Sequence, residues 1–129
     1  MDRERDRLRD LSACLTRLHG YLLDRERRAY ESRHGAVGSH EMLRLLLHDE
    51  RFAWLRTLSS FMAQIDAAVD AEELTAADVE RALRAAHQLL KSGDAGAFQD
   101  KYRDALQDSP DVVMAHADVT QVLRDLTSR

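Results

Sequence analysis

Residues 42–65 read MLRLLLHDERFAWLRTLSSFMAQI, and the spacing of their apolar side chains decides the fold. Phe52, Leu55, Leu58, Phe61 or Met62, Ile65 and, just beyond, Val69 recur at steps of three and four. That rhythm traces one face of a helix over about five turns. The stretch holds the only Trp (Trp54) and two of the three Phe, so it is the expected centre of the core. His40 and Glu41 border it, and His48, Asp49 and Glu50 lie within it. Nowhere else in the chain do several metal-capable side chains crowd together.

The same rhythm extends outward in both directions. Upstream, Leu8, Leu11, Leu15, Leu18 and Leu22 form a narrow seam with Ala29, Arg25 fills the remaining seam position, and Cys14 and Tyr21 flank it. This is the pattern of helices packed at a shallow angle, and it predicts a first helix over about 3–33. Gly35 suits a left-handed residue just past its end. Ser39 is the expected N-cap of a short second helix over about 40–47, with Glu41 in its first turn. Asp49 is the expected cap of the third helix, which the acidic segment 70–73 closes.

Downstream, Thr75 with Asp78 three residues on resembles a capping box. Val79, Leu83, Ala86 and Leu90 give the inner stripe of the fourth helix, and Lys91-Ser92-Gly93 its end. After a loop at 94–96, Phe98, Tyr102, Ala105 and Leu106 define a fifth. Ser109, Pro110 and Asp111 are the clearest start signal, with Pro at the first helical position. Val112, His116, Val119, Leu123 and Leu126 then form another seam. The expectation is an all-α bundle of about six helices in a single domain spanning 1–129. The long N-terminal helix should be packed by the third and last, and the charge-rich start, 1–9, is expected to fray.

Composition agrees with that reading. Leu occurs 19 times, Val and Ile together eight times, and there is one Pro among 129 residues. Leu and Ala favour helices, β-branched residues favour strands, and an all-β fold needs more turn residues. The net charge is −4, with residues 1–33 carrying nine Arg against seven acids. So small a basic excess is poor footing for nucleic-acid binding. One cysteine excludes an internal disulfide, and the opening residues hold no signal-like apolar segment, so a cytoplasmic location is expected. No apolar run approaches the ~20 residues that span a bilayer.

One length carries an expectation about assembly. Thirty helical residues span roughly 45 Å, whereas a compact domain of this size is only about 36 Å across. A straight first helix would overhang its own domain. Either it bends near Gly20, which otherwise permits a neighbouring helix to approach closely, or its end packs on a second copy. The second alternative, a homodimer, is preferred.

Few residues suggest chemistry. His40, Arg44 and His48 share one side of a continuous helix, with Glu41 and Asp49 near, and imidazoles and carboxylates at such spacing can hold zinc or iron. The pattern is nevertheless no H-E-x-x-H, and Arg44 between the histidines repels a cation. A solvated helical face is the preferred reading, with His40, Glu41 and His48 the only metal candidates and no cofactor implied. His116, on the inner seam, is either a ligand or general base, or a core histidine bonded to a Tyr or carboxylate, which is preferred. Trp54 is an interaction anchor or a core side chain at the stripe's edge, the latter preferred. Arg51 and Arg56 beside it can hold an anion or snorkel outward. His34 is expected at a helix end, and Cys14 as a buried, inert thiol. No phosphate-binding loop, dinucleotide fingerprint, nucleophile elbow or C-x-x-C is present.

Several runs together resemble a group of small uncharacterised bacterial all-helical proteins with no established activity. They are Tyr30-Glu31 with His34-Gly35, Leu45-Leu46-Leu47 with Asp49, Phe52-Ala53-Trp54-Leu55-Arg56 followed by Leu58-Ser59, and Pro110-Asp111-Val112-Val113-Met114-Ala115-His116. The likeness covers much of 15–126. Pro often stands in that group where this chain has Glu50 and Thr57, which removes the ground for a rigid kink there. The resemblance carries over no catalytic role, but it singles out Tyr30, His34, Asp49, Trp54, Arg56 and His116 as the residues of any ligand or partner site. The function expected is that of a non-catalytic helical protein acting through self-association or a protein partner. The alternative is a ligand- or metal-binding protein, enzymes included, using the His/Asp/Glu/Arg cluster of 34–56 and His116.

Overall fold

The computed structural model describes residues 3–91 and 95–127, with side chains through 124. Six α-helices follow one another: α1 (Arg3–His34), α2 (Ser39–His48), α3 (Ala53–Asp70), α4 (Ala76–Leu90), α5 (Ala97–Asp108) and α6 (Pro110–Thr127). A single 3-10 turn, Glu50–Phe52, leads into α3, and the described residues contain no strand. The expected stop at Ser92-Gly93, the loop residue Asp94 and the side chain of the seam residue Leu126 lie outside what is described.

α1 is the axis of the bundle. Leu8, Leu11, Leu15, Leu18 and Leu22 are all at 0% exposure, so the seam is buried along its whole length. α1 packs chiefly on α6 and α3. The two neighbours take opposite flanks of the seam. On one flank Cys14 lies near Asp118 of α6, and Arg25 donates to both carboxylate oxygens of Asp108, the last residue of α5, at 2.7 and 2.6 Å. On the other, Ser12 donates to Asp66 at 2.6 Å, His19 lies near the backbone of Leu55, and Trp54 Nε1 donates to Glu26 at 3.0 Å. Burying each such leucine contributes about 1.5–3 kcal/mol.

Several local expectations meet a different outcome. Residues 3–9, the described part of the start expected to fray, form the first turns of α1, where Leu8 is fully buried. Arg5 also reaches across to the carbonyls of Val69 and, at 2.7 Å, Ala71. Those carbonyls lie at the C-terminal end of α3, where the helix leaves acceptors unsatisfied. Ala29, placed on the seam by its spacing, is exposed, because the seam stops at Leu22. Ser39 is the first residue of α2 and not its cap. Gly38 holds the cap position, without a side-chain bond. A Cβ on Gly20 would meet nothing within 4 Å, so no helix makes a close approach there.

The overhang of α1 is resolved within the chain. Its 32 residues extend about 48 Å. Past Leu22, however, the polypeptide doubles back over it. The Val37 N–H donates to Glu31 Oε2 at 2.8 Å, Arg27 donates to the Val37 carbonyl at 3.3 Å, and Val37 itself is buried. Tyr30 packs against Phe52 with ring centres 6.2 Å apart. The helix length therefore gives no ground for a second copy.

Other caps follow the sequence. Thr75 and Asp78 form a reciprocal capping box, with bonds of 3.1 and 3.0 Å. Ser109 Oγ accepts from the Val112 N–H at 3.3 Å. Cys14 is buried, its Sγ accepting from Arg17 at 3.4 Å, and burial pushes the thiol pKa up. No helix among the described residues is long and apolar enough to cross a membrane.

Candidate functional site

The corner where α1, α2 and α3 meet gathers four of the six preferred residues. α1 stops at His34 because Gly35 takes φ +87°, a left-handed conformation, with its N–H donating to Glu31 O at 2.8 Å. α2 stops at His48, where Asp49 becomes extended. The Asp49 carboxylate accepts from the Arg51 N–H at 2.8 Å and so caps the 3-10 turn rather than α3 directly. Arg56, one turn into α3, donates back to the carbonyls of Leu46 at 2.8 Å and Asp49 at 3.1 Å. A guanidinium thus satisfies the open acceptors at the end of α2. Asp49 and Arg56 spend their polar groups on knitting the corner.

Tyr30 and His34 occupy the outside of the same corner. Their rings are 4.3 Å apart, one helical turn from each other on α1. The Arg51 guanidinium sits 5.4 Å from the centre of the Tyr30 ring, a cation–π distance, and Arg51 Nη1 donates to His34 Nε2 at 3.3 Å. That bond requires a lone pair on Nε2 and turns the nitrogen away from any metal. The result is a stacked surface cluster.

Trp54 lies behind the corner and belongs to the core, at 3% exposure. From it a row of rings crosses the bundle. Trp54 meets Phe98 at 5.7 Å, Phe98 stacks on Tyr102 at 5.5 Å, and the Tyr102 hydroxyl lies 2.6 Å from His116 Nδ1. His116 is therefore a half-buried histidine bonded to a tyrosine, while Ala115 beside it takes the fully inward position on α6. Burial and, secondarily, Lys91 lower the His116 pKa below its ordinary 6.5, and burial raises that of Tyr102. His116 borders a cavity of about 250 Å³ lined also by Leu89, Leu90, Lys91, Tyr102, Arg103 and Leu106.

His40, Glu41 and His48 do not converge. His40 and His48 are exposed on α2, and Glu41 faces Arg44 at 3.8 Å. Among the described residues no three His, Cys, Asp or Glu side chains come together as a metal site. The solvent side of α2 carries something else: Leu43 and Leu47, one turn apart, are 54% and 53% exposed. The six preferred residues thus divide into the corner, the buried Trp54 and the remote His116.

A larger concavity lies elsewhere. α4 packs on α5, α6 and α1, leaving a trough of about 770 Å³ between itself and α3. Phe61, Ile65, Ala68 and Ala82 form its apolar floor, while Gln64, Arg81, Arg84 and Gln88 edge it. The sequence reading assigned Phe61 and Ile65 to the core face, and both are buried. α3 and α4 pack too loosely against each other to close over that face. Sequence reasoning also missed Glu26 as the partner of Trp54, and it gave the partner of His116 as a Tyr or a carboxylate without singling out Tyr102. The signal for Glu26 was its place one turn beyond Leu22, on the flank that carries His19. The chain matches no known protein-family profile, no curated protein and no solved structure.

Proposed function

We propose that this chain acts through protein association, its first partner being a second copy of itself. The observation carrying the reading is the trough between α3 and α4, an apolar floor of Phe61, Ile65, Ala68 and Ala82 edged by polar and charged side chains. Small alanines let a helix approach closely, and an apolar helix face laid in such a groove is a recurrent mode of recognition. The same chain supplies a matching ridge in Leu43 and Leu47 on α2. Exposed apolar surface of this kind marks interaction sites. A ridge and a groove on different parts of one molecule pair reciprocally in a closed dimer or head to tail in a chain of copies.

Sedimentation velocity over a concentration series tests the reading. The wild type should pass from monomer to dimer or higher oligomer. Leu43→Glu with Leu47→Glu, and separately Ala85→Glu in the trough, should remain monomeric with unchanged helicity, because all three positions are exposed. A wild-type chain that stays monomeric at every concentration overturns self-association.

A further inference from the structure

The cavity beside His116 shares no lining residue with the α3–α4 trough, and its chemistry is different. Its walls combine the apolar side chains of Leu89, Leu90 and Leu106 with the cations Lys91 and Arg103, the amide of Gln99 and the Tyr102–His116 pair. They include no carboxylate among the described residues. About 250 Å³ is small beside the cavities that hold drug-sized ligands.

The tautomer of His116 follows from burial. Tyr102 is 3% exposed, and among the described residues its hydroxyl bonds only His116 Nδ1, at 2.6 Å. A buried hydroxyl that only accepted would strand its own proton, so the phenol donates and Nδ1 accepts. The ring proton then resides on Nε2, which has no partner among the described residues. Neutral His116 is fixed as a donor beside the cavity and does not serve as a base there. Arg103 is only loosely engaged, its Nη1 lying 3.5 Å from Asp100 with half of its side chain exposed.

We propose that this cavity binds a small aliphatic carboxylate, whose charge is met by Lys91, Arg103 and the His116 Nε2–H and whose short chain rests on Leu89, Leu90 and Leu106. Two cations and a fixed neutral donor select an anion. Three leucines select against one that is hydrated all round, because a polar group buried on apolar walls loses water without compensation. Tyr102 acts through His116, as the residue that holds the donor tautomer.

Isothermal titration of the full chain with sodium butyrate tests this, with butyramide as the neutral isostere and inorganic phosphate as the anion without an aliphatic part. Butyrate should saturate in the millimolar range, with side-chain ¹⁵N spectra showing His116 protonated at Nε2 throughout. Arg103→Gln and Lys91→Gln are both exposed changes that leave the fold intact, and each should weaken butyrate binding about fivefold. Butyramide should not bind. Equal binding of butyramide, unchanged affinity in both variants, or no saturable butyrate binding overturns the site. Phosphate binding as tightly as butyrate overturns the aliphatic assignment.

Discussion

Leu8→Ala separates two accounts of the N-terminus. Charge density alone assigns residues 1–9 to a frayed end, where truncating a leucine costs next to nothing. In the structure Leu8 is at 0% exposure, in the first turns of α1, and Arg5 ties that end to the last carbonyls of α3. A fully buried leucine cut to alanine loses its transfer energy and leaves a cavity, which together cost about 2–5 kcal/mol. Because Leu8 stands near one end of the bundle, where neighbours relax more readily, about 3 kcal/mol is the value expected. With an unfolding entropy of about 2.1 cal/mol/K per residue, a chain of 129 residues carries about 0.27 kcal/mol/K. The melting temperature should therefore fall by about 11 °C. Urea unfolding followed by circular dichroism should show the midpoint lowered at constant slope. Leu43→Ala, at 54% exposure, serves as the control and should stay within about 0.5 kcal/mol of wild type. Both are measured at one low protein concentration, since association adds stability of its own. A Leu8→Ala loss as small as the control's would refute the packing of this end and restore the frayed one.

Two glycines in α1 and at its end should respond in opposite directions. Gly20→Ala meets nothing within 4 Å in a helical segment and should stabilise the protein by about 0.5–1 kcal/mol, whereas Gly35→Ala forces a side chain into φ +87° and should destabilise it by about 1 kcal/mol, both read from thermal melts. Acidification should weaken the fold first through histidine. Burial holds His19 and His116 below their ordinary 6.5, so the unfolded chain takes up protons before the folded one. This part of the stability is complete above about pH 6.5 and is lost as pH falls below it. Asp108, lowered by its bond to Arg25, and Glu31, lowered by the Val37 N–H, act only in a more acidic window, below their ordinary 3.8 and 4.5. Urea midpoints measured from about pH 7.5 to 5.5 should fall, and His19→Leu should flatten part of that slope. A profile with no slope in this range contradicts the burial of both rings.

The helical stripes could be read in the sequence because each is a local periodicity: residues three and four apart share a face wherever that helix packs. Leu8 to Leu22, Val79 to Leu90 and the Thr75–Asp78 box are of this kind, and so is the left-handed Gly35. The candidate site was less legible. Tyr30 and His34 are one turn apart, so their stacking was implicit in α1, but Arg51 joins them only because the chain folds back at Gly35. His40, Glu41 and His48 crowd together along the chain yet do not gather in space, since α2 turns its solvent side outward.

What the sequence determined by itself is the set of amphipathic rods, their order, most of their ends and the faces they bury, because those properties depend on neighbours within a few residues. Only the tertiary structure decided that α3 and α4 stand apart around a trough, that a row of rings links Trp54 to His116, and that the end of α1 is covered by its own chain. These depend on the angles and offsets between rods. Such angles emerge from the packing of side chains distant in sequence, and no local spacing encodes them.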